Sequence, residues 1–220
     1  MLVSMGRAAF EDYLARQLDT FFPDGSDPRP SLAASLDDAL DRMRTCINSV
    51  RMWKPDSFHH LQSEQNAIFL YYLANTIFEK TGDREAATKV FYLNKALNGF
   101  TCFYDTKLPE KMFVGHSVGV VVARAEFSNY LVLYQGCTVG KNHGEGPVLG
   151  PGTVLYPGSS VLGRCRTGPR TVIGQNQSLI DADAPGDCFV FQEAGRPVFK
   201  RPTRDVVADI FRVEPGSELS

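Results

Sequence analysis

The sequence has little of what marks several common protein classes. Of its 220 residues, one is tryptophan and four are histidine. The formal net charge of −2 gives no excess of basic residues of the kind that nucleic-acid-binding domains carry. No apolar run approaches the ~20 residues that a membrane-spanning helix needs, and no charged start followed by an apolar stretch indicates a signal peptide. We therefore expect neither a nucleic-acid partner nor a membrane span.

Cysteine is also scarce, and its spacing is uninformative for disulfides or metals. The five cysteines are scattered, and no two of them form a CxxC pair (Cys46, Cys102, Cys137, Cys165 and Cys188). An odd, scattered set is typical of reduced thiols and predicts a cytoplasmic setting. The same spacing predicts no metal site.

The second half of the chain carries an aliphatic residue at every sixth position. The later run is Leu149, Leu155, Val161, Thr167, Ile173 and Leu179, and the earlier run is Val121, Phe127, Leu133 and Val139. A period of six is neither that of a helix (3.6) nor that of an alternating strand (2). It is typical of a hexapeptide β-helix, in which the aliphatic residue points inward and small residues occupy the turns. The alternative is an all-β sandwich of short strands.

The first half of the chain has helical periodicity instead. Four stretches carry apolar residues on one helical face, beginning near Phe10, Ser31, residue 58 and Arg84. The sequence thus predicts an α+β protein, an α-helical N-terminal domain followed by a parallel β-helix. We place the helical domain at 1–104, the β-helix at 105–200 and a tail at 201–220. An apolar patch at 206–211 predicts a short helix that caps the β-helix.

The six-residue period is interrupted once. Val139 and Leu149 are ten residues apart, and the additional residues form the polar, glycine-rich segment 140–146. This segment predicts a loop that projects from the β-helix. Such loops tend to lie on the functional face of a solenoid, although a tolerated surface insertion has the same pattern.

His116 is the histidine with the most informative surroundings. It lies between small residues, in the segment Gly115-His116-Ser117, at the start of the repeat region. An accessible imidazole is a suitable general base for a hydroxyl nucleophile near neutral pH. Such a base commonly needs a carboxylate, and Asp105, eleven residues upstream, is the first candidate, with Glu110 the second. A structural histidine at a domain junction is the alternative.

The helical first half, the hexad repeat, the segment 115–122, the glycine-rich loop and the late Ala-Gly-Arg-Pro together resemble the serine acetyltransferases and their hexapeptide acyltransferase relatives. The resemblance covers roughly 58–201 and is most specific at 114–163. It implies a left-handed β-helix, a homotrimer or dimer of trimers, and acetyl-CoA as co-substrate in a groove between neighbouring β-helices. It also implies that His116 is the general base and that Asp105 orients it, although the interval between them is shorter than in the family.

Two departures from the family pattern concern the acceptor. The family has an aspartate directly before the base, where this chain has Gly115, and an Arg-His pair in the loop, where this chain has Lys141, Asn142 and His143. A zwitterionic acceptor needs a partner for each of its charges, and leaving one unpaired is costly. Lys141 could supply the cation, but no residue nearby in the sequence supplies the anion, unless Glu145 or the helical half does so.

We therefore predict an acetyl-CoA-dependent O-acetyltransferase that acts on a hydroxyl of a small or carbohydrate-type acceptor. Serine O-acetylation in cysteine synthesis is the alternative, followed by N-acetylation of an amino sugar and by a non-catalytic hexapeptide scaffold. The resemblance places Pro157 and Gln175 along the pantetheine groove. Lys200 and Arg201 are predicted to contact the 3′-phosphate of the donor, or else to belong to a solvated tail.

Overall fold

The computed structural model describes residues 1–219, so Ser220, the last residue of the predicted tail, lies outside the described part. Within 1–219 the chain forms four long helices, then a region of short strands, then a fifth, short helix. The helices are α1 (Arg7–Phe21), α2 (Arg29–Ser49), α3 (Ser63–Thr81), α4 (Arg84–Asn98) and α5 (Val206–Ile210). This order confirms the predicted α+β architecture, with helices preceding the repeat region.

Helix α3 is the centre of the helical half. Its residues from 65 to 77 are all buried, because α2 and α4 pack on either side of it and strand β4 (Met112–Gly115) packs against it. Glycines in the left-handed conformation end α3 at Gly82 and α4 at Gly99. The Asp83 side chain accepts a hydrogen bond from the Ala86 N–H at 3.0 Å and so caps the first turn of α4.

The strands are short, and most of them contain two to four residues. They are β1 (Leu2–Val3), β2 (Ser57–Phe58), β3 (Phe100–Cys102), β4 (Met112–Gly115), β5 (Val120–Val122), β6 (Glu126–Phe127), β7 (Leu131–Tyr134), β8 (Thr138–Gly140), β9 (Val148–Leu149), β10 (Val154–Leu155), β11 (Ser160–Leu162), β12 (Arg166–Thr167), β13 (Thr171–Ile173), β14 (Ser178–Ile180), β15 (Cys188–Glu193) and β16 (Arg196–Lys200).

From β3 onward the strands form three parallel sheets, which are the three sides of a β-helix. The first sheet has the order β16-β15-β13-β10-β7-β4, the second β14-β11-β8-β5-β3, and the third β12-β9-β6. Each strand pairs with the strand one coil further along, as Val154 does with Val172 and Val161 with Leu179. Only β16 is antiparallel, and it closes the C-terminal end. Because β3 pairs with β5, the second sheet begins at Phe100, upstream of the predicted boundary at 105.

The interior of the β-helix is formed by the six-residue repeat. Leu149, Leu155, Val161, Ile173 and Leu179 are all fully buried. The polar member, Thr167, is buried as well, because its hydroxyl is paired with the Thr153 hydroxyl at 2.7 Å and accepts from the Gly150 N–H at 2.9 Å. The later run thus points inward as predicted.

The earlier run contains one wrong assignment. Val121 is 42% exposed, whereas Val120 and Val122 are buried. Val122, and not Val121, pairs with the inward Val139 of the next coil. The cause is the turn that follows, because the inward Val122 lies only five residues before Phe127, which pairs with the inward Leu149, and this turn is therefore one residue shorter than the six-residue period requires.

The tail ties the β-helix to the helical half. Helix α5 packs against Gly152, and Phe211 forms an isolated antiparallel bridge with Val50 at the end of α2. Arg51 donates from its backbone N–H to the Ile210 carbonyl at 2.8 Å, and Arg212 donates in the same way to the Ser49 carbonyl at 2.8 Å. A helix in the predicted position is therefore present. In the described part of the chain, no helix has the length and hydropathy needed to cross a bilayer.

Candidate functional site

His116 lies in a lengthened turn between the first and second sheets, which we name the first corner. Gly115 pairs with Tyr134, and Val121 pairs with Thr138. The paired positions are six residues apart in the first coil and four residues apart in the next, so the turn that carries His116 is two residues longer. The His116 side chain is 75% exposed. The backbone of His116 is in the left-handed region at φ 50°, a conformation that non-glycine residues adopt rarely and often at functional sites.

The end of α4 supports this turn from below. Ser117 donates its hydroxyl to the Asn98 carbonyl at 2.8 Å, and the Gly119 N–H donates to the Gly99 carbonyl at 3.0 Å. A side chain at position 99 would place its Cβ 3.0 Å from the Val118 Cα, so the close approach requires glycine there. The turn is thus fixed by the helical half as well as by the β-helix.

Buried asparagines connect the same turn to the first turn of α3. The Asn98 amide donates to Asn66 Oδ1 and to Asn94 Oδ1, both at 2.9 Å. Asn94 in turn donates to the Ala67 carbonyl at 2.8 Å. A buried network whose members are satisfied holds its elements in one arrangement. It fixes the start of α3 relative to the His116 turn.

Glu64, in the first turn of α3, is the carboxylate that the structure brings to His116. Its Oε1 lies 3.8 Å from His116 Nδ1, and the Glu64 side chain is 23% exposed. This pair has no local signal in the sequence, because Glu64 lies in a different element, far upstream of His116.

The predicted partner, Asp105, is placed elsewhere. Its carboxylate forms an ion pair with Arg124, at the corner between the second and third sheets, which we name the second corner. Both residues line an open cleft together with Thr106, Lys107 and 125–127. Asp105 was predicted from its proximity in the sequence, but the chain turns away from His116 between the two residues, and the nearby guanidinium takes the carboxylate. Within 1–219, the ion-pair partner of His116 is Glu64.

The glycine-rich loop also lies at the second corner. The Asn142 amide donates to Asp181 Oδ2 at 2.7 Å, and Glu145 lies 3.9 Å from Arg164, so the loop is fastened to the coil below. The Arg164 N–H, which donates to Asp181, lowers the pKa of that carboxyl the most, and the Asn142 amide lowers it further. Lys141 and His143 are exposed. Within one chain the second sheet separates these loop residues from His116.

Pro157 and Gln175 lie on the first corner, in line with His116. Backbone hydrogen bonds connect successive turns of this corner, from Gly136 N–H to Val118 O at 3.0 Å and from Gly158 N–H to Gln135 O at 2.9 Å. The next is from Asn176 N–H to Pro157 O at 3.0 Å. The structure therefore stacks the predicted base and these two predicted donor-binding residues along one edge of the β-helix.

Lys200 and Arg201 differ in their surroundings. Lys200 Nζ lies 2.9 Å from Glu193 and 5.3 Å from the centre of the Phe191 ring. Arg201 lines a cleft of about 290 Å³ with Arg170 and Arg204, and in the described part of the chain it forms no ion pair. Arg201 is therefore the freer of the two cations.

The ring of Tyr134 explains why position 115 is occupied by glycine. A side chain at position 115 would place its Cβ 2.8 Å from Tyr134 Cε1 and 3.0 Å from Phe113 Cε1. The ring thus occupies the space that a side chain at position 115, next to His116, would need. Burial raises the pKa of the Tyr134 phenol, with a further contribution from Tyr156.

In residues 1–219, no group of three or more His, Cys, Asp or Glu side chains has a geometry suited to a metal ion.

The fold and this corner define the class: a hexapeptide-repeat left-handed β-helix of about five turns with a helical N-terminal half. No protein-family model matches the chain. Serine acetyltransferase from Synechococcus elongatus is 31% identical over 118 residues, which is 51% of this chain and 48% of that relative. The chain thus matches about half the length of this curated relative.

Two solved structures have the same fold. Serine acetyltransferase from Vibrio cholerae superposes with a TM-score of 0.70 at 19% identity, over 90% of this chain and 81% of the other. Serine acetyltransferase in complex with Coenzyme A from Brucella abortus superposes with a TM-score of 0.67 at 18% identity, over 87% of this chain and 82% of the other. The predicted resemblance to the serine acetyltransferase-like hexapeptide-repeat proteins is confirmed.

Proposed function

We propose that this protein is an acetyl-CoA-dependent O-acetyltransferase in which His116 is the general base. The observation that carries the proposal is the exposed imidazole in a lengthened turn, with a carboxylate 3.8 Å from its Nδ1. The free side of the ring, Nε2, then accepts the proton of the acceptor hydroxyl as the oxygen attacks the thioester carbon, and the imidazolium returns this proton to the CoA sulfur when the C–S bond breaks. Glu64 fixes the ring and stabilises the imidazolium that forms. Backbone N–H groups of the first corner stabilise the oxyanion.

Serine is the acceptor that the structure and the relatives favour together. The sequence argued for a neutral polyol because no carboxylate was found for the amine of an amino acid. Glu64 removes that objection, since it places a negative charge beside the base. The curated relatives are serine acetyltransferases. The alternative from the sequence therefore becomes the leading proposal.

A carbohydrate-type acceptor is the second candidate, and one observation favours it. The Tyr134 ring covers Gly115 and presents an aromatic face next to His116. Aromatic faces accept the C–H faces of cyclic ligands, which free serine lacks. N-acetylation of an amino sugar and a non-catalytic scaffold are the remaining alternatives.

Acetyl-CoA is the proposed donor, and it would lie along the first corner. Pro157 and Gln175 are stacked below His116 there. Proline at 157 has no N–H to donate to the donor, so the contact at that coil is made by the ring and carbonyl alone. Arg201, which has no ion pair in the described residues, is the proposed contact of the 3′-phosphate.

A homotrimer or a dimer of trimers would complete the site. His116 lies at the first corner and the loop of Lys141, Asn142 and His143 at the second, so a neighbouring copy is needed to bring the two together. The second sheet exposes Val121 and Ile180, by 42% and 50%, and so offers an apolar surface for such a copy. The cytoplasmic setting stays a prediction, consistent with five free cysteines that are all buried.

The test is thiol release from acetyl-CoA by the full chain and by His116→Ala, with serine, with neutral sugars and with amino sugars as acceptors. We expect turnover with serine that His116→Ala reduces by at least about a hundredfold. His59→Ala, at a histidine outside the corner, is the control and should leave the rate unchanged. A wild-type rate equal to that of His116→Ala for every acceptor contradicts the enzyme proposal. Turnover with sugars and none with serine contradicts the choice of acceptor alone.

A further inference from the structure

One position in each coil of the first sheet forms a column beside the first corner. Gly115 pairs with Tyr134, and the strand registers, continued by one residue, add Tyr156, Gly174 and Phe191 in that order. We name Tyr134, Tyr156 and Phe191 the aromatic column. All three side chains are partly exposed, and the column borders the edge on which His116, Pro157 and Gln175 are stacked.

The rings of the column lean toward the glycines. Tyr134 and Tyr156 have ring centroids 5.7 Å apart, and the Tyr134 ring lies over Gly115. Phe191 leans in the same direction over Gly174, where an added Cβ would lie 3.0 Å from Phe191 Cε1. The two glycines therefore leave room that the rings partly fill. The Tyr156 ring lies 6.2 Å from that of Phe189, which in turn neighbours Phe191, so aromatic rings extend from the His116 turn to the C-terminal end.

The C-terminal end of the aromatic column is both aromatic and cationic. Phe189 stacks nearly parallel to Phe191, with centroids 6.1 Å apart and an interplanar angle of 16°. Lys200 Nζ lies 5.3 Å from the Phe191 centroid, and Arg201 follows it in the chain. An aromatic face beside cations suits a planar base that carries phosphate groups.

The distance from Gly115 to Phe191 along the first sheet also suits acetyl-CoA. Four strand spacings separate Gly115 from Phe191, which at about 4.8 Å each gives roughly 19 Å. This is about the reach of an extended pantetheine arm, so a donor whose thioester is at His116 would place its adenine near Phe191. We propose that the aromatic column is one wall of the donor channel and that the adenine of acetyl-CoA stacks on Phe191. This inference rests on the proposed function.

The test compares two donors in the full chain. One is acetyl-CoA, and the other is S-acetyl-N-acetylcysteamine, which keeps the thioester but lacks the adenosine and its phosphates. We expect Phe191→Ala to raise the KM for acetyl-CoA by about tenfold, since base–aromatic stacking is a substantial contribution, and to leave the KM for the short donor unchanged. Phe191→Tyr should restore the KM for acetyl-CoA. Phe199→Ala, on the neighbouring strand β16, is the matched control and should change neither KM.

Two results would overturn the inference: an unchanged KM for acetyl-CoA in Phe191→Ala, or an equal rise for both donors, which would indicate a structural role. Calorimetric titration with CoA separates this inference from the proposed function. CoA binding without turnover, weakened by Phe191→Ala, contradicts only the activity. Turnover that is unaffected by Phe191→Ala contradicts only the column. A wild-type chain that binds no CoA contradicts both.

Discussion

The Glu64 carboxylate lies 3.8 Å from His116 Nδ1, and the two residues belong to different halves of the protein. Glu64 is in the first turn of α3, and His116 is in the first turn of the β-helix. Buried asparagines of α3 and α4, together with Ser117, fix this relationship. The helical half therefore contributes a carboxylate to the first corner.

Glu64→Gln keeps the shape of the side chain and removes its charge. We expect kcat with the acceptor to fall by roughly ten- to a hundredfold, because the imidazolium loses its stabilising carboxylate. The KM for acetyl-CoA should stay unchanged, and steady-state kinetics measure both. Glu64→Asp should recover part of kcat.

Glu79→Gln, on the same helix but paired with Lys107 at 4.0 Å, is the control for Glu64. It should leave kcat unaltered. A normal kcat in Glu64→Gln would show that Glu64 does not assist the base, whereas an equal loss in both variants would point to damage of α3.

The Tyr134 ring should determine how strongly a side chain at position 115 destabilises the protein. Gly115→Ala introduces a Cβ 2.8 Å from Tyr134 Cε1, and we expect it to lower the free energy of unfolding by about 1–3 kcal/mol. In a Tyr134→Ala background the cost should shrink, because the obstructing ring is gone. Chemical denaturation of the four proteins in a double-mutant cycle measures the coupling.

Gly140→Ala serves as the reference for Gly115→Ala. Its nearest neighbour, Leu162 Cδ2, would lie 3.4 Å from the new Cβ, an ordinary contact. It should cost less than Gly115→Ala. The same cost for Gly115→Ala with and without Tyr134 would disprove the proposed contact.

Arg201 and Lys200 should respond differently to removal of the donor phosphate. In the wild type, the KM for acetyl-CoA should be lower than that for its 3′-dephospho analogue. Arg201→Ala should remove most of this difference, because Arg201 is unpaired in the described residues, while Lys200 already contacts Glu193 at 2.9 Å. Lys200→Ala should have the smaller effect. Full discrimination in Arg201→Ala would reject this phosphate contact.

Acid should loosen the tail through Asp205. Burial raises the pKa of Asp205, but the Gly216, Ala208 and Val207 N–H groups and Arg170 lower it by more, so it lies below the usual 3.8. A carboxyl with a lowered pKa stabilises the folded state above its unfolded value and loses this contribution as pH falls through the folded value. We therefore expect tail amides to lose hydrogen-exchange protection below about pH 4.

Asp205→Asn should flatten that pH dependence, because the amide does not titrate. Asp209→Asn, at an exposed residue 3.4 Å from Arg204, should retain it. Equal protection of the tail amides at pH 6 and pH 3 in the wild type, relative to their intrinsic exchange rates, would refute the role of Asp205.

Periodic patterns in the sequence were enough to predict the helices and the inward residues of the β-helix, but not the turn lengths or the contacts between distant elements. A period of 3.6 and a period of six identify buried faces, so the helices and the inward residues of the later run were found. The turn between β5 and β6 is one residue shorter than the period requires, so Val121 was wrongly placed inside. Asp105 was selected because it is near His116 in the sequence, and Glu64 was missed because only the packing of α3 on β4 brings it close.

The contacts of Arg212 have a consequence for biosynthesis. Its guanidinium donates to the Asn48 carbonyl at 2.9 Å and to the Trp53 carbonyl at 2.5 Å, across more than two thirds of the chain. Because a chain emerges from the ribosome N-terminal end first, the Asn48 and Trp53 carbonyls are synthesised well before the guanidinium from which they accept. These contacts between the helical half and the tail therefore form late, after the helices and coils that lie between them in the sequence have been synthesised.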